Sequence, residues 1–148
     1  MSKIVIFDLD GTLALIDDRR KISTKPNGKM DWDKFFDPKN ISLDKPNMPV
    51  IKMAQSLASD GFQIVIFSGR SKSTIWATKF WLSKNKVPFN RLLMRPIKDF
   101  TPDDVLKQNW LNDIGKDNVL CTFDDRNKVV DMWRNNGITC FQVADGNF

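Results

Sequence analysis

Short, continuously apolar runs alternate with longer segments of helical spacing along most of the chain. "KIVIF", from Lys3, reads as a first strand, and its unbroken apolar character marks a strand buried on both faces. "MPVIKMAQSLASDG" predicts a helix, with Val50, Met53, Ala54 and Leu57 on one face and Gly61 where a C-terminal cap belongs. "FQIVIFSGR" predicts a second strand. "SKSTIWATKFWLSKN" predicts a helix opened by serine, with Trp76 and Phe80 one turn apart, and "RLLMR" a short strand. "TPDDVLKQNWLNDIG" predicts a helix capped by Thr101, with Pro102 at its first position and Asp103 and Asp104 in its first turn. "VLCTFDDR", "NKVVDMWRNNG" and "ITCFQV" continue as strand, helix and strand. This alternation implies an α/β fold, a three-layer sandwich around a central parallel sheet with right-handed crossovers. Trp76, Trp81, Trp110 and Trp133 are expected in its core.

One segment breaks the pattern. Residues 14–47 are rich in charge, Pro, Gly and Asn and hold one aromatic cluster, Trp32, Phe35 and Phe36. A connection this long is uncommon unless it is a lid or binding loop. It is therefore expected to be a short, polar cap over the rest, and its aromatics to be either core or substrate-facing.

Composition adds bounds. The 148 residues suit a single domain, 1–148, and the apolar and charged fractions, 41% and 28%, are those of a globular protein. The apolar runs are too short to span a bilayer and no secretory leader is visible at the start, so a cytoplasmic protein is expected. Cys121 and Cys140 sit in apolar segments outside any metal spacing and read as reduced core thiols. The net charge of +5 suits an ordinary soluble surface or a polyanionic partner such as nucleic acid.

The chemistry lies at the strand ends, where open parallel sheets bind their ligands. Three ends carry polar groups: Asp8 and Asp10, then Ser68, Gly69 and Arg70, then Asp124 and Asp125. Four carboxylates from two strand tips would repel unless a cation neutralised them. The chain has no histidine and no thiol cluster, so a hard, oxygen-seeking ion such as Mg²⁺ fits. Blander readings stand beside this one. Asp103 and Asp104 suit any helix start, Lys107 could simply pair with Asp103 four residues earlier, and Ser68-Gly69 could be an ordinary turn.

Asp8-Leu9-Asp10-Gly11-Thr12 resembles the D-x-D-G-T signature of the haloacid dehalogenase-like phosphohydrolases, whose core is Rossmannoid. Ser68, Lys107 and Asp124-Asp125 fall in the order of that superfamily's further motifs. The resemblance implies Asp8 as nucleophile through an aspartyl-phosphate, Asp10 as general acid and base, and Lys107 as the balancing cation. It also implies phosphate contacts from Thr12, Ser68 and Gly69, and Mg²⁺ at Asp8, Asp10, Asp124 and Asp125.

The tail "CTFDDRNKVVDMWRNNGITCFQVADGNF", with "IVIFSGR" and "DDVLK", is similar more narrowly to the 3′-phosphatase domain of phage-type polynucleotide kinase/phosphatase. That likeness adds Arg19, Arg70 and Asp103 to the substrate-binding set, with Arg20 as the neighbouring alternative to Arg19. It implies 3′-phosphate ends of DNA or RNA as substrate, in nucleic-acid repair. A nucleotidase or other small-molecule phosphatase is the alternative, and a non-catalytic phosphate-binding module a more distant one. Between Arg70 and Lys107 there is room for one helix, one strand and a loop, so no large second cap is expected and the site should stay open. The chain lacks a G-x-x-x-x-G-K-[ST] loop, so no kinase activity is expected.

Overall fold

The computed structural model describes residues 3–148. Its centre is a five-stranded parallel sheet of β1 (Ile4–Asp8), β4 (Gln63–Ser71), β5 (Arg91–Arg95), β6 (Val119–Asp124) and β7 (Cys140–Gln142), in the order β5-β4-β1-β6-β7. The chain builds outward from β1 to β4 and β5, then crosses back to lay β6 and β7 on the other side. The sheet therefore reverses direction between β1 and β6, where parallel sheets open a crevice at their carboxyl ends.

The period of two in β1 decides which layer each side chain joins. Val5 and Phe7 belong to a core with Ile64 and Ile66, covered by α4 (Met48–Ser59) and α5 (Ile75–Lys84) through Ile51, Ala54, Trp81 and Leu82. Ile6 belongs to the opposite core with Val65 and Phe67, covered by α6 (Asp103–Ile114) and α7 (Asn127–Asn135) through Leu111, Val130 and Trp133. The Phe7 ring stacks on Phe123 at 4.5 Å, fixing β1 against β6 on the first face. Both cysteines are free, and burial pushes the Cys140 thiol up to about 11, so it stays neutral. Among the described residues, no helix is long and apolar enough to cross a membrane.

Two sequence expectations shift. Helix α6 starts at Asp103, with Pro102 in the capping position and no side-chain cap; the Thr101 carbonyl instead accepts from the Arg95 guanidinium. Trp76 is not core. It is 78% exposed and Phe80, one turn on, is 71% exposed. The buried face of α5 carries Thr78, Trp81 and Leu82, because Arg70 Nη1 donates to the Thr78 hydroxyl at 3.1 Å. The helical period was right, but a buried arginine placed a small polar residue on the inner face.

Residues 14–47 are more ordered than a polar loop. They form β2 (Ala14–Leu15), α1 (Asp17–Ser23), α2 (Trp32–Phe35), α3 (Pro38–Ile41) and β3 (Lys45–Pro46), with β2 and β3 antiparallel. Ile16, Phe35 and Ile41 bury into the α4/α5 core, and Asn47 closes the base by hydrogen bonds to Leu13 and Thr12 carbonyls. This cover is an extension of the core, seated beside the carboxyl end of the sheet.

Candidate active site

Strand alternation sends Asp8, like Ile6, toward the α6/α7 layer, and there it meets Lys107 of α6. Lys107 Nζ donates to Asp8 Oδ1 at 2.8 Å and to Asp124 Oδ2 at 3.0 Å. It does not pair with Asp103. Thr12 Oγ1 donates to the other Asp8 oxygen at 2.9 Å, so both oxygens of that carboxylate are fixed. Asp124 is held further by Trp133 Nε1 at 3.2 Å and by the Asp125 amide at 2.9 Å. Burial costs Lys107 some of its charge affinity, but Asp124 and Asp8 outweigh it and the ammonium is held more firmly than usual.

Carboxylate oxygens of Asp8, Asp124 and Asp125 lie within 4.8 Å of one another, all three residues buried. Burial and the neighbouring Asp124 raise the Asp8 carboxyl well above its ordinary range, more than Lys107 can offset. Burial likewise raises Asp125. Three buried carboxylates with one lysine are two positive charges short, and oxygen donors of this kind suit a hard divalent cation such as Mg²⁺. The approach is tight: a Cβ on Gly11, which has a left-handed φ of 83°, would run into Asp125 Oδ2. Gly11 is needed for both reasons.

Asp10 does not join that trio. The strand ends at Asp8, the chain turns on the Leu9 carbonyl, which accepts from Thr12, Leu13 and Ala14, and Asp10 swings to the other face. Its Oδ1 takes Arg19 Nη2 at 2.9 Å and Arg70 Nε at 2.9 Å, with Arg70 Nη2 also in contact. Arg19 rather than Arg20 is the buried one. Neither guanidinium faces outward to hold phosphate. Each also binds Asp44, Arg19 through Nε and Nη2 and Arg70 through Nη2 at 2.8 Å, and Arg19 reaches the Phe35 carbonyl. Burial pushes the Asp10 carboxyl up, but Arg70 and then Arg19 outweigh it, and the net shift is downward.

Asp44 was not singled out from the sequence. It sits on the cover with no periodic neighbour, and its backbone carbonyl accepts from Trp81 Nε1 at 2.9 Å, a contact only the fold creates. Thr12 also differs from expectation, since its buried hydroxyl is engaged with Asp8 rather than free for phosphate. Ser68 is buried at the end of β4, where its Oγ accepts the Arg70 amide at 3.1 Å. At Gly69 a Cβ would press on Asp103 Oδ1, so the loop and α6 meet closely there. Asp103 in turn is braced by Arg95 and by Arg126 Nη1 at 2.8 Å. Arg95 and Arg126 are further supports that the sequence reading did not name.

Above these groups lies a cleft of about 1080 Å³ whose lining includes Asp8, Asp10, Gly69, Asp103, Lys107, Asp124 and Asp125. Trp32, Phe35 and Phe36 of the cover all line it too, Phe35 while otherwise buried in the core. The aromatic cluster thus bridges core and cleft.

The comparisons agree with this geometry. A protein of Autographa californica nuclear polyhedrosis virus, named as a bifunctional polynucleotide kinase/RNA ligase, is 35% identical over an alignment of 147 positions that covers 96% of this chain and 19% of that protein. A solved chain from the Pnkp1/Rnl/Hen1 complex superposes with a TM-score of 0.81 at 31% identity, over 99% of this chain and 48% of the other. The chain thus spans about a fifth of the one relative and under half of the other. CbbY from Rhodobacter sphaeroides, solved with phosphate, shares the fold at a TM-score of 0.69 and 11% identity, over 100% of this chain and 88% of that one. Residues 2–148 match the family model of the polynucleotide kinase PNKP phosphatase domain, and the chain therefore belongs to that family of phosphoric monoester hydrolases.

Proposed function

We propose that this chain is a Mg²⁺-dependent polynucleotide 3′-phosphatase that acts through an aspartyl-phosphate on Asp8 and leaves a 3′-hydroxyl for nucleic-acid repair. The observation that carries the reading is the buried trio of Asp8, Asp124 and Asp125 with Lys107 bridging two of them, in a chain of the polynucleotide kinase phosphatase-domain family. In this reading residues 1–148 form one phosphatase domain, with 14–47 as its cover.

Asp8, Asp124 and Asp125 would hold the ion. When bound, Mg²⁺ neutralises charge on the carboxylates and on the substrate phosphate. The remaining steps belong to the protein. Lys107 and Thr12 orient the Asp8 carboxylate, and one of its oxygens bonds to phosphorus as the bond to the 3′-oxygen breaks. That oxygen takes a proton from Asp10. Water then attacks phosphorus while Asp10 takes its proton, the bond to Asp8 breaks, and inorganic phosphate leaves. Arg19 and Arg70 both bind Asp10 through Oδ1, which leaves Oδ2 to carry the proton. Because both arginines favour the ionised form, the base half of the cycle is the easier one. Ser68 accepts the Arg70 amide and keeps its own hydroxyl proton for a phosphoryl oxygen.

The test offers a 3′-phosphorylated oligonucleotide, its 5′-phosphorylated counterpart and nucleoside monophosphates in parallel. The expected result is a kcat/KM at least tenfold higher for the 3′-phosphorylated end. Preference for the monophosphates overturns the polynucleotide reading and leaves a phosphatase of small nucleotides.

A further inference from the structure

The two most exposed aromatic side chains of the cleft have no role in the chemistry described so far. Phe100, in the loop between β5 and α6, is 90% exposed, and Trp32, at the start of α2, is 60% exposed. Both line the same cleft above Asp8 and Asp124, one from the sheet side and one from the cover. Exposed aromatics of this size are costly to leave in water, and isolated ones on a flexible loop carry little meaning. These two sit on anchored segments. Arg95 fastens the Phe100 loop from beneath through the Asp99 and Thr101 carbonyls, and Asp99 Oδ1 accepts the Thr101 amide at 2.8 Å. Lys98 in that loop holds a left-handed φ of 62°, a conformation a non-glycine residue keeps only where surrounding contacts impose it. Trp32 stacks on Phe36 at 5.8 Å and 17° and meets the Phe35 ring edge-on.

The structure thus anchors the loop that carries one ring and packs the other ring on its neighbours, at the mouth of the site, leaving both exposed. Cations accompany them: Lys98 and Arg20 line the same cleft, both exposed, and neither has an ion pair among the described residues. Arg20 also lies 5.3 Å over the Phe148 ring of the same cleft. Aromatic rings interleaved with cations form the surface on which single-stranded nucleic acid is held, its bases stacked on the rings and its phosphates near the cations. At about 1080 Å³ the cleft is at or above the upper size of a site that encloses one small molecule.

Resting on the proposed 3′-phosphatase reading, we infer that Trp32 and Phe100 form a stacking clamp for the last bases of a single-stranded 3′ end, with Lys98 and Arg20 on the preceding phosphates. The clamp sets the 3′-phosphate over Asp8. It reads base planes rather than base identity, so it requires an unpaired end and tolerates any sequence.

The experiment measures kcat/KM for a single-stranded 3′-phosphorylated oligonucleotide, for the same strand with its two terminal nucleotides abasic, and for p-nitrophenyl phosphate. Wild type is compared with Phe100→Ala, Trp32→Ala and, as an exposed aromatic away from the cleft, Trp76→Ala. Stacking contributes about 1–3 kcal/mol per base, so each clamp variant should lower the ratio of oligonucleotide to p-nitrophenyl phosphate turnover about tenfold or more. Wild type should lose a similar factor on the abasic strand, and the clamp variants should lose little further on it. Trp76→Ala should match wild type, and Phe100→Trp should restore the ratio. If wild type favours the oligonucleotide but both clamp variants keep the ratio, or the abasic strand is handled equally well, the clamp is wrong and the 3′-phosphatase reading stands. If wild type does not favour the oligonucleotide at all, both fall.

Discussion

Asp8 and Asp10 lie two residues apart and end in opposite electrostatic settings. Asp8 shares its pocket with Asp124 and Asp125, and among the described residues Lys107 is their one ion-pair partner, so negative charge is in excess. Asp10 shares its pocket with Asp44 against Arg19 and Arg70, two carboxylates facing two guanidinium groups. The first pocket is unfinished without a cation, whereas the second is already neutral. Asp8 is raised and Asp10 lowered, because burial acts on both but only Asp10 is answered by enough positive charge, while burial still raises Asp44 beside it against Arg19 and Arg70. One turn of chain at Leu9 separates a pocket with negative charge in excess from one whose carboxylates are matched by guanidinium groups.

The sharpest way to test that contrast is Asp8→Asn. It removes the proposed nucleophile with almost no change in volume, and kcat should fall by about 10⁴ or more, as loss of a covalent nucleophile does elsewhere. The melting temperature should hold or rise, because a buried carboxylate in a negative pocket is lost. Retained turnover near the wild-type rate would sink the covalent mechanism.

In the neutral pocket, Arg70→Ala leaves Asp10 and Asp44 buried against one guanidinium. Removing one partner of a buried ion pair costs about 3–5 kcal/mol, so a drop of roughly 10 °C in Tm is expected alongside the loss of turnover. A variant as stable as wild type would show that Asp10 and Asp44 are not tied to the fold through this arginine.

Magnesium should distinguish the two pockets directly. At a hundred times its Kd it should stabilise the wild type by about 2.7 kcal/mol in thermal unfolding. Asp124→Asn should abolish most of that gain, while Asp10→Asn, outside the carboxylate trio, should keep it. Equal loss in both variants would mean that Asp10 joins the ion after all.

The smallest effect concerns pH. Asp8 and Asp125 hold their protons above the ordinary carboxylate range, so the ion must displace protons to bind. Mg²⁺ affinity should therefore rise with pH through the mildly acidic range, by up to about tenfold per unit for each proton displaced, and level off once both groups are ionised. Calorimetry in two buffers of different ionisation enthalpy reads the released protons. No release at mildly acidic pH would contradict the shifts.

The local chemistry of the sheet was legible. "KIVIF" and "RLLMR" became β1 and β5, and Gly61 falls just beyond α4 with the left-handed φ its position demanded. These signals are local: period, caps and apolar runs act within a few residues of chain. Arg19 and Arg70 could be named from resemblance, but their partners could not be read. Asp44 lies 25 and 26 residues from them, and only the packing of the cover on α5 brings it between the two. Trp76 was misplaced for the same reason, since spacing gives a helical face without saying which face turns inward.

The chain alone determined that acidic groups end two buried strands, that a lysine follows one helix turn into α6, and that strand and helix alternate, because backbone period and side-chain type are properties of short stretches. Only the tertiary structure decided which carboxylate meets Lys107 and which meets the arginines. Charge pairing between distant segments depends on where the sheet, the cover and α6 converge, and no short stretch contains that information.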